Sequence, residues 1–468
     1  MNKKIFYLAK NVLLFALNGF LPKVLSFILI PIYTGCLTTG EYGISDLITT
    51  TVQLLVPIFT LDIQDAVMRF AMDQAYSKKD VFSSAIRVIC GGLVCVILGC
   101  VVVSLLHIPG LEPSYLIFLV IMYAITSLQN SVNLFCKGID QVKVIVVAGV
   151  LNSVITLSAN ILFLVVFQWG LVGYLAANSI GHAVSLVYMF FGAKLYRYVH
   201  WKATPQVSKA MRAFSFPLIF SALAWWVNNA ADRYMLSWLA GVSISGIYAV
   251  AYKIPNLLSV FQNIFTQAWS ISAIKEFDKD DSDGFIGNMY TMMNFAMVLV
   301  CSLIMLVNLP LAKILYSNEF FHAWHYVPPL LISVVFNAMA LFIGSIFTAV
   351  KDTKTLSVST IAGAAANIAC NVIMIPLWDA AGAAIATLIG YAVTLMMRHL
   401  ILRKHIRMKI RWKRDLVVYA VLLLQMLIAF QGWQLIWVQM ICTCLVLWMY
   451  SRELKVFLSA AQNLLKRK

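Results

Sequence analysis

Apolar runs of about twenty residues recur along this chain, and they constrain its fold more than any other feature. A helix that crosses a bilayer needs about 20 consecutive, mostly apolar residues. Fourteen runs qualify, the first six at 11–36, 43–68, 82–106, 114–136, 144–168 and 171–194. Six more cover 213–240, 244–272, 288–309, 325–350, 355–377 and 380–402. A last pair covers 415–432 and 433–450, with only Gln431 and Gly432 to mark the turn. Of 468 residues, 62% are hydrophobic and 12% charged, about half the charge of a soluble domain. Such a chain cannot cover its own surface in water. That excludes a soluble enzyme, a disordered chain and a cytosolic nucleic-acid binder, so no nucleic-acid partner is expected. The loops are too short for a folded extramembrane domain, and any chemistry must lie within or between helices. The expected fold class is an all-α polytopic membrane protein with 14 transmembrane helices.

Lys3, Lys4 and Lys10 precede the first run, as in a signal peptide. The run is longer than a signal core, contains Asn18 and Lys23, and lacks a small-residue cleavage site, which predicts an uncleaved first helix. The nine cysteines are odd in number and show no zinc-ligand or redox spacing, so they read as small buried hydrophobes.

When the loops are assigned to alternate sides, 31 of the 35 Lys and Arg fall on the side of the N-terminus, and only Lys313 falls opposite. This asymmetry is the positive-inside rule, and it predicts a multi-pass protein of the bacterial cytoplasmic membrane with both termini cytoplasmic. Most of the net charge of +16 is therefore a record of topology.

The three cations that remain after this assignment lie inside spans: Lys23, Arg233 and Lys253. A cation at the helix centre costs about 2.5–3.5 kcal/mol on the insertion scale, so each should face a partner or a wet cavity. For Arg233 and Lys253 two readings stand: pairing with Asp232 or another acid, or an anion site. Lys23 follows Pro22 with no acid in its own span, which favours a functional role. Asp62, Asp65 and Arg69, spaced i, i+3 and i+7, predict an ion-pair cluster or a gate. His182, mid-membrane in the sixth span, is either a coupling residue or a histidine packed against a serine or carbonyl.

Polar residues form stripes. The eighth span carries Tyr248, Tyr252, Asn256, Ser259, Asn263, Gln267 and Ser270 at steps that share one helical face. Five turns of polar face suggest a hydrated wall. The seventh span adds Trp225, Trp226, Asn229, Asp232 and Arg233. Shorter pairs, Asn152 with Thr156 and Asn160, and Asn367 with Asn371, read as interhelical glue.

The chain also repeats itself. Trp169-Gly-Leu-Val-Gly173 aligns with Trp378-Asp-Ala-Ala-Gly382, and Gly181 falls on Gly390 at the same offset of 209. One period holds six spans, so the halves are parallel repeats, with a site expected at their interface. The predicted organisation is an N-lobe at 1–200, a C-lobe at 201–405, and two accessory helices with a tail at 406–468.

Several segments carry a family resemblance: Leu37-Thr-Thr-Gly-Glu41-Tyr-Gly43, Asn229-Ala-Ala-Asp232-Arg233, Gly246-Ile-Tyr248-Ala with Gln267-Ala-Trp, Asn367…Asn371-Val-Ile-Met-Ile-Pro376, and Gly382-Ala-Ala-Ile-Ala-Thr387. Their order resembles Wzx-type flippases for O-antigen and other polysaccharide repeat units, in the multidrug/oligosaccharidyl-lipid/polysaccharide (MOP) superfamily. The resemblance implies alternating-access transfer of undecaprenyl-diphosphate-linked oligosaccharide to the outer leaflet, by a transporter and not an enzyme. It implies no cofactor beyond an H+ or Na+ coupling ion, a monomer in the lipid bilayer, and a polysaccharide polymerase and chain-length regulator as partners. The substrate cavity it suggests comprises Lys23, Arg233 and Lys253 for the diphosphate, with Asn18, Asn229, Asp232, Tyr252, Asn256, Asn263 and Gln267. Asp62, Asp65, Arg69 and His182 are the gate or coupling candidates. No metal site is expected: Glu319, His322 and His325 lack further ligands, and Asp278, Asp280, Asp281 and Asp283 read as a solvated loop. The basic loop Arg403–Arg414 follows the topology and also suits anionic lipid.

Other readings remain open. A drug/cation antiporter would want anionic cavity residues, and a peptidoglycan-precursor lipid flippase would share the fold. A polymerase or glycosyltransferase usually needs a larger outer loop, and a scaffold would have no use for buried charge.

Overall fold

The computed structural model describes residues 27–106, 112–200, 204–275, 277–408 and 410–455. Its secondary structure is helical throughout, with no strand among the described residues. The chain divides into two compact units, Met1–Ala231 and Asp232–Lys468, whereas the sequence reading drew boundaries at 200 and 405.

The first unit contains α1 (Ile30–Cys36), α2 (Thr39–Phe59), α3 (Ile63–Met72), α4 (Lys78–Leu105), α5 (Pro113–Gly138), α6 (Val142–Asn160) and α7 (Gly170–Gly192). A π-helical turn, Ile161–Val166, extends α6. α8 (Pro205–Leu239) begins here: Val207 and Met211 join the core of Phe70, Phe82, Phe135 and Met189. Asp232, on the last turns of α8, belongs to the second unit.

Local chemistry explains the boundaries. Thr38 and Glu41 form a capping box at the start of α2, with the Glu41 N–H donating to Thr38 Oγ1 at 3.2 Å and the Thr38 N–H to Glu41 Oε2 at 2.9 Å. The other oxygen of Glu41 accepts the Leu171 N–H at 3.3 Å, so one carboxylate caps two helices. Gly170, with φ +55°, has no Cβ to collide with Glu41, whose Oε1 would lie only 2.8 Å from it. The Leu37–Gly43 segment is thus a connection between α2 and α7.

Burial separates lipid-facing from core helices. The most apolar stretch of α4 has mean hydropathy 2.8, yet only 17% of that stretch is buried within the protein. Val94, Leu98, Val102 and Leu105 are more than half exposed, so hydrocarbon must cover them. In the second unit α13 (Val327–Ala349) is 83% buried and forms the centre. Trp269 stacks on Phe342 of α13 at 4.1 Å and donates its indole N–H to the Phe342 carbonyl at 3.0 Å.

Around α13 lie α9 (Val242–Ala251), α10 (Lys253–Lys275), α11 (Phe285–Leu306), α12 (Asn308–Leu315), α14 (Thr353–Leu402), α15 (Trp412–Ala429) and α16 (Ile436–Met449). α15 and α16 are fastened to α11 by buried polar bonds. Ser302 donates to Gln425 Oε1 at 2.9 Å, and Asn294 bridges Tyr419 and Tyr450 at 2.9 and 3.0 Å. This pair of helices belongs to the second unit.

Among the described residues, eight helices are long and apolar enough to span a membrane, or up to ten if two bent pairs each count once. The protein is a multi-pass membrane protein, but this count differs from fourteen for four reasons, one being that α15 opens on Lys413, Arg414 and Asp415 and is too charged over its 18 residues to qualify. Most of the first run lies outside the described residues. α14 holds two runs in one 50-residue element, broken where Trp378 and Asp379 leave helical geometry. α16 is only 14 residues long.

The internal repeat has a structural basis in each unit separately. A Cβ on Gly173 would sit 3.2 Å from the Phe163 carbonyl oxygen, and one on Gly382 2.2 Å from that of Met374. A Cβ on Gly181 would meet Thr156 and Asn152, and one on Gly390 would meet Asn367 at 2.8 Å. In both halves, glycine lets a helix cross close to its predecessor.

Two expectations need correction. The Asp62–Asp65–Arg69 cluster does not form an ion pair. Leu61 and Asp62 have φ of 54° and 48°, so the helix breaks there and the i, i+3, i+7 register never starts at Asp62. Asp62 turns inward and accepts from Gln64 Nε2 at 3.0 Å, while Asp65 and Arg69 face outward. Arg398, counted with the loop cations, is buried: its guanidinium donates to Ala340 O, Ser359 Oγ and Thr360 Oγ1 at 2.6, 3.0 and 2.9 Å.

Candidate functional site

A dense polar cluster surrounds a buried carboxylate of the second unit, Asp232. α8 brings Asp232 to α9 and α14, where it is only 7% exposed. Oδ1 accepts the amide of Asn371 at 2.6 Å. Oδ2 accepts the Thr387 hydroxyl at 2.6 Å and the Tyr248 hydroxyl at 3.3 Å. Asn371 also donates to Asn367 Oδ1 at 3.1 Å, and Tyr248 lies 3.3 Å from Tyr252, hydroxyl to hydroxyl.

The break in α14 makes this arrangement possible. Asn367 and Asn371 stand on the first arm, and Thr387 returns on the second. Gly390 lets the arms close, since any larger residue would meet the Asn367 Cβ. Gly363 packs against Gly390 in the same crossing. The asparagines that looked like packing glue are therefore part of a carboxylate's shell. Thr387 was visible only within the family-resembling Gly382–Thr387 segment.

The donor set consists of a carboxylate, amide oxygens, hydroxyls and the Ala383 carbonyl, whose oxygen lies 3.0 Å from the Thr387 hydroxyl. Hard, oxygen-only groups of this kind suit a proton or a small monovalent cation. Asn371 Oδ1 is buried without a hydrogen-bond partner, so the cluster retains acceptor capacity. Among the described residues no three His, Cys, Asp or Glu side chains are grouped as ligands for a metal ion.

Arg233 follows directly in sequence. Its guanidinium lies 5.6 Å from the Tyr252 ring centroid, in cation–π range, and its carbonyl accepts from Ser245 at 3.1 Å. Lys253 and Tyr252 are half-buried. α9 and α10 meet at 43° beside Tyr252, so the polar stripe of the eighth span is bent and divided. Tyr248 and Tyr252 turn into the Asp232 cluster, whereas Asn256 and Asn263 are exposed in the middle of a spanning helix. Exposed amides at membrane depth require water or a polar ligand. Asn229 is also exposed. The side chain of Gln267, and Lys23 and Asn18 entirely, lie outside the described residues.

In the first unit, His182 Nδ1 lies 2.7 Å from Gln129 Oε1, whose amide nitrogen donates to Ser185 at 3.4 Å. His325 stacks on Trp324 at 3.7 Å, and its burial pulls the imidazole below its usual range. The acidic loop is committed to its own turn: Asp281 accepts the Ile286 and Gly287 N–H groups at 2.9 and 3.0 Å, capping α11. Hydrogen bonds from the Ser282 hydroxyl and N–H hold Asp278 below the usual carboxylate range.

Comparison with known proteins adds independent findings. The sequence profile described as "Polysaccharide biosynthesis protein" matches residues 8–271. No individually curated protein matches the sequence. Among solved structures, the fold is similar to the lipid II flippase MurJ in an inward closed conformation, with TM-score 0.71 and 14% identity over 95% of this chain and 99% of that one. An inward-facing multidrug resistance MATE family transporter of the MOP superfamily gives TM-score 0.62 and 14% identity over 86% and 98%. A MOP superfamily transporter from Pyrococcus furiosus, described as having a binding pocket of reverse polarity, gives 0.57 and 14% over 84% and 95%. The fold is that of the MOP-superfamily transporters.

Proposed function

Because the chain belongs to the polysaccharide biosynthesis protein family, we propose that it is a flippase for undecaprenyl-diphosphate-linked oligosaccharide repeat units. It moves them from the inner to the outer leaflet of a bacterial cytoplasmic membrane by alternating access. Both termini are cytoplasmic, a reading supported by the one-sided distribution of 31 of 35 cations.

The observation that carries this reading is the buried carboxylate of Asp232 inside a hydroxyl and amide shell, in a fold whose remaining surface is largely apolar. A passive scaffold gains nothing from such a group. Binding and release of H+ or Na+ at Asp232 changes the charge of the cluster and the bonds that tie α8 to both arms of α14. That gives the transporter a two-state element for an ion gradient to bias.

The cargo needs a different surface. Its polyprenyl tail can stay in lipid, while the diphosphate and sugars need cations and hydrogen bonds away from hydrocarbon. Arg233 and Lys253 supply the cations, and Lys23 is a further candidate on its sequence alone. Asn229, Asn256 and Asn263 supply amides on exposed faces, and Tyr252, in ring contact with Arg233, links that cation to the Asp232 cluster.

The test is flipping in phosphatidylcholine proteoliposomes. A fluorescent undecaprenyl-diphosphate oligosaccharide is placed in one leaflet and its arrival in the other is read by dithionite quenching, without ATP. The expected result is protein-dependent transfer that Arg233→Ala and Lys253→Ala slow. Transfer of lipid II with none of the oligosaccharide would replace this cargo with a peptidoglycan precursor.

A further inference from the structure

The junction between α14 and α15 carries a patch of cations whose acids are already accounted for. His405 lies 3.0 Å from Asp352, and Arg407 3.7 Å from Asp280. Arg414 turns inward to Glu453 at 2.7 Å and Asp415 at 3.4 Å. The remaining Arg403, Lys404, Arg411 and Lys413 are exposed and make no ion pair among the described residues.

These cations sit on an ordered support. Ile406 is 3% exposed, and the Arg407 N–H donates to the Lys279 carbonyl at 2.9 Å, which pins the loop. Trp412, at the start of α15, joins the end of α14. His399 of α14 meets its ring edge-on at 4.3 Å, and the Arg403 guanidinium lies 5.3 Å from its centroid. A tryptophan bordered by cations is the usual composition of a membrane–water interface. About one turn nearer the bilayer core each helix presents an uncovered leucine: Leu400 on α14 and Leu416 on α15 are each 65% exposed.

We propose that this junction binds one anionic glycerophospholipid. Its phosphodiester lies among Arg403, Arg411 and Lys413, its glycerol at Trp412, and its acyl chains along Leu400 and Leu416. Charge complementarity selects the ligand class: four unpaired cations attract an anionic headgroup, whereas a zwitterionic one brings its own positive charge. Arg403 is suited to the phosphate, since the face of its guanidinium is turned to a ring while its edge donors stay available. The inference rests on the membrane-spanning fold and not on the identity of the cargo. Because α14 carries Asn371 and Thr387, the lipid would bear on the helix that supplies the Asp232 shell.

Native mass spectrometry of the purified full-length protein tests this directly, with phosphatidylglycerol or phosphatidylcholine titrated in. The wild type is expected to retain phosphatidylglycerol under activation that strips phosphatidylcholine. Arg403→Gln/Arg411→Gln/Lys413→Gln should weaken phosphatidylglycerol binding about a hundredfold. Lys78→Gln/Lys79→Gln/Lys194→Gln, which removes equal charge from other exposed positions, should retain it. Unchanged binding in the first triple variant, or an equal loss in the second, overturns the proposal. So does displacement of phosphatidylglycerol by equimolar polyprenyl diphosphate, which would make the junction a cargo site. Pure phosphatidylcholine vesicles, in which flipping tests the proposed cargo, contain no phosphatidylglycerol, so that assay reads the proposed function separately from the first two outcomes.

Discussion

Asn371 donates its amide to Asp232 across 2.6 Å, from the first arm of a broken helix to a carboxylate on another helix. A charge-assisted bond of this kind is worth about 1.5–3 kcal/mol when its loss leaves a buried partner unsatisfied. Asn371→Ala is therefore expected to lower thermal stability in detergent by about that amount and to slow flipping at least about tenfold. Asn371→Asp would place a second carboxylate beside the first and should raise the proton affinity of the pair. Flipping measured against pH separates the two variants: the first lowers the whole profile, and the second moves it to higher pH.

Glu41 ties the starts of α2 and α7 together through the Thr38 capping box and the Leu171 N–H. Loss of an N-cap interaction costs about 1 kcal/mol. Glu41→Ala, which loses bonds to two helices, should cost about 1–2 kcal/mol by thermal unfolding. Glu41→Gln keeps one acceptor oxygen and should recover about half of the loss.

Gly382 and Gly91 provide a matched pair. A Cβ at Gly382 would fall 2.2 Å from the Met374 carbonyl oxygen, a backbone atom that cannot swing aside, whereas a Cβ at Gly91 meets nothing within 4 Å. Gly382→Ala should separate the arms of α14 and reduce folded yield severalfold. Gly91→Ala should leave yield unchanged or slightly improved, because alanine favours helix by about 1 kcal/mol over glycine. Size-exclusion chromatography of the solubilised protein reads both.

Much of the fold was legible from apolar run lengths, because hydrocarbon demands long uninterrupted helices. The break at Leu61–Asp62 was not legible, since neither residue is a glycine or proline and the apolar run continues through it. Arg398 was misplaced because its position within three turns of a basic loop looks like loop charge, while its partners are neutral oxygens on helices distant in sequence. At the site, the unusual adjacency of Asp232 and Arg233 in an apolar span was readable. That Asn371 and Thr387 serve Asp232 was not, because this depends on the two arms of α14 closing over Gly390. Periodicity within one helix carries no information about such a crossing.

Asp352 makes a pH prediction outside the membrane. Hydrogen bonds from the Thr355 hydroxyl and N–H, then the nearby His405, hold its carboxyl below the ordinary range. A depressed carboxyl contributes stability above its unfolded value of about 3.9 and loses it as pH falls through the folded value. The melting temperature of Asp352→Ala should therefore lie below wild type between about pH 5 and 7 and converge with it below about pH 4.

The central claim is that an ion at Asp232 drives lipid-linked oligosaccharide across the bilayer. The most direct measurement is the initial flipping rate in proteoliposomes with an imposed H+ or Na+ gradient, for the wild type and for Asp232→Asn. One of the two gradients should accelerate the wild type at least about tenfold, and Asp232→Asn should flip at a rate that neither gradient alters. A wild-type rate indifferent to both gradients, or an Asp232→Asn protein accelerated as fully as the wild type, would contradict the account.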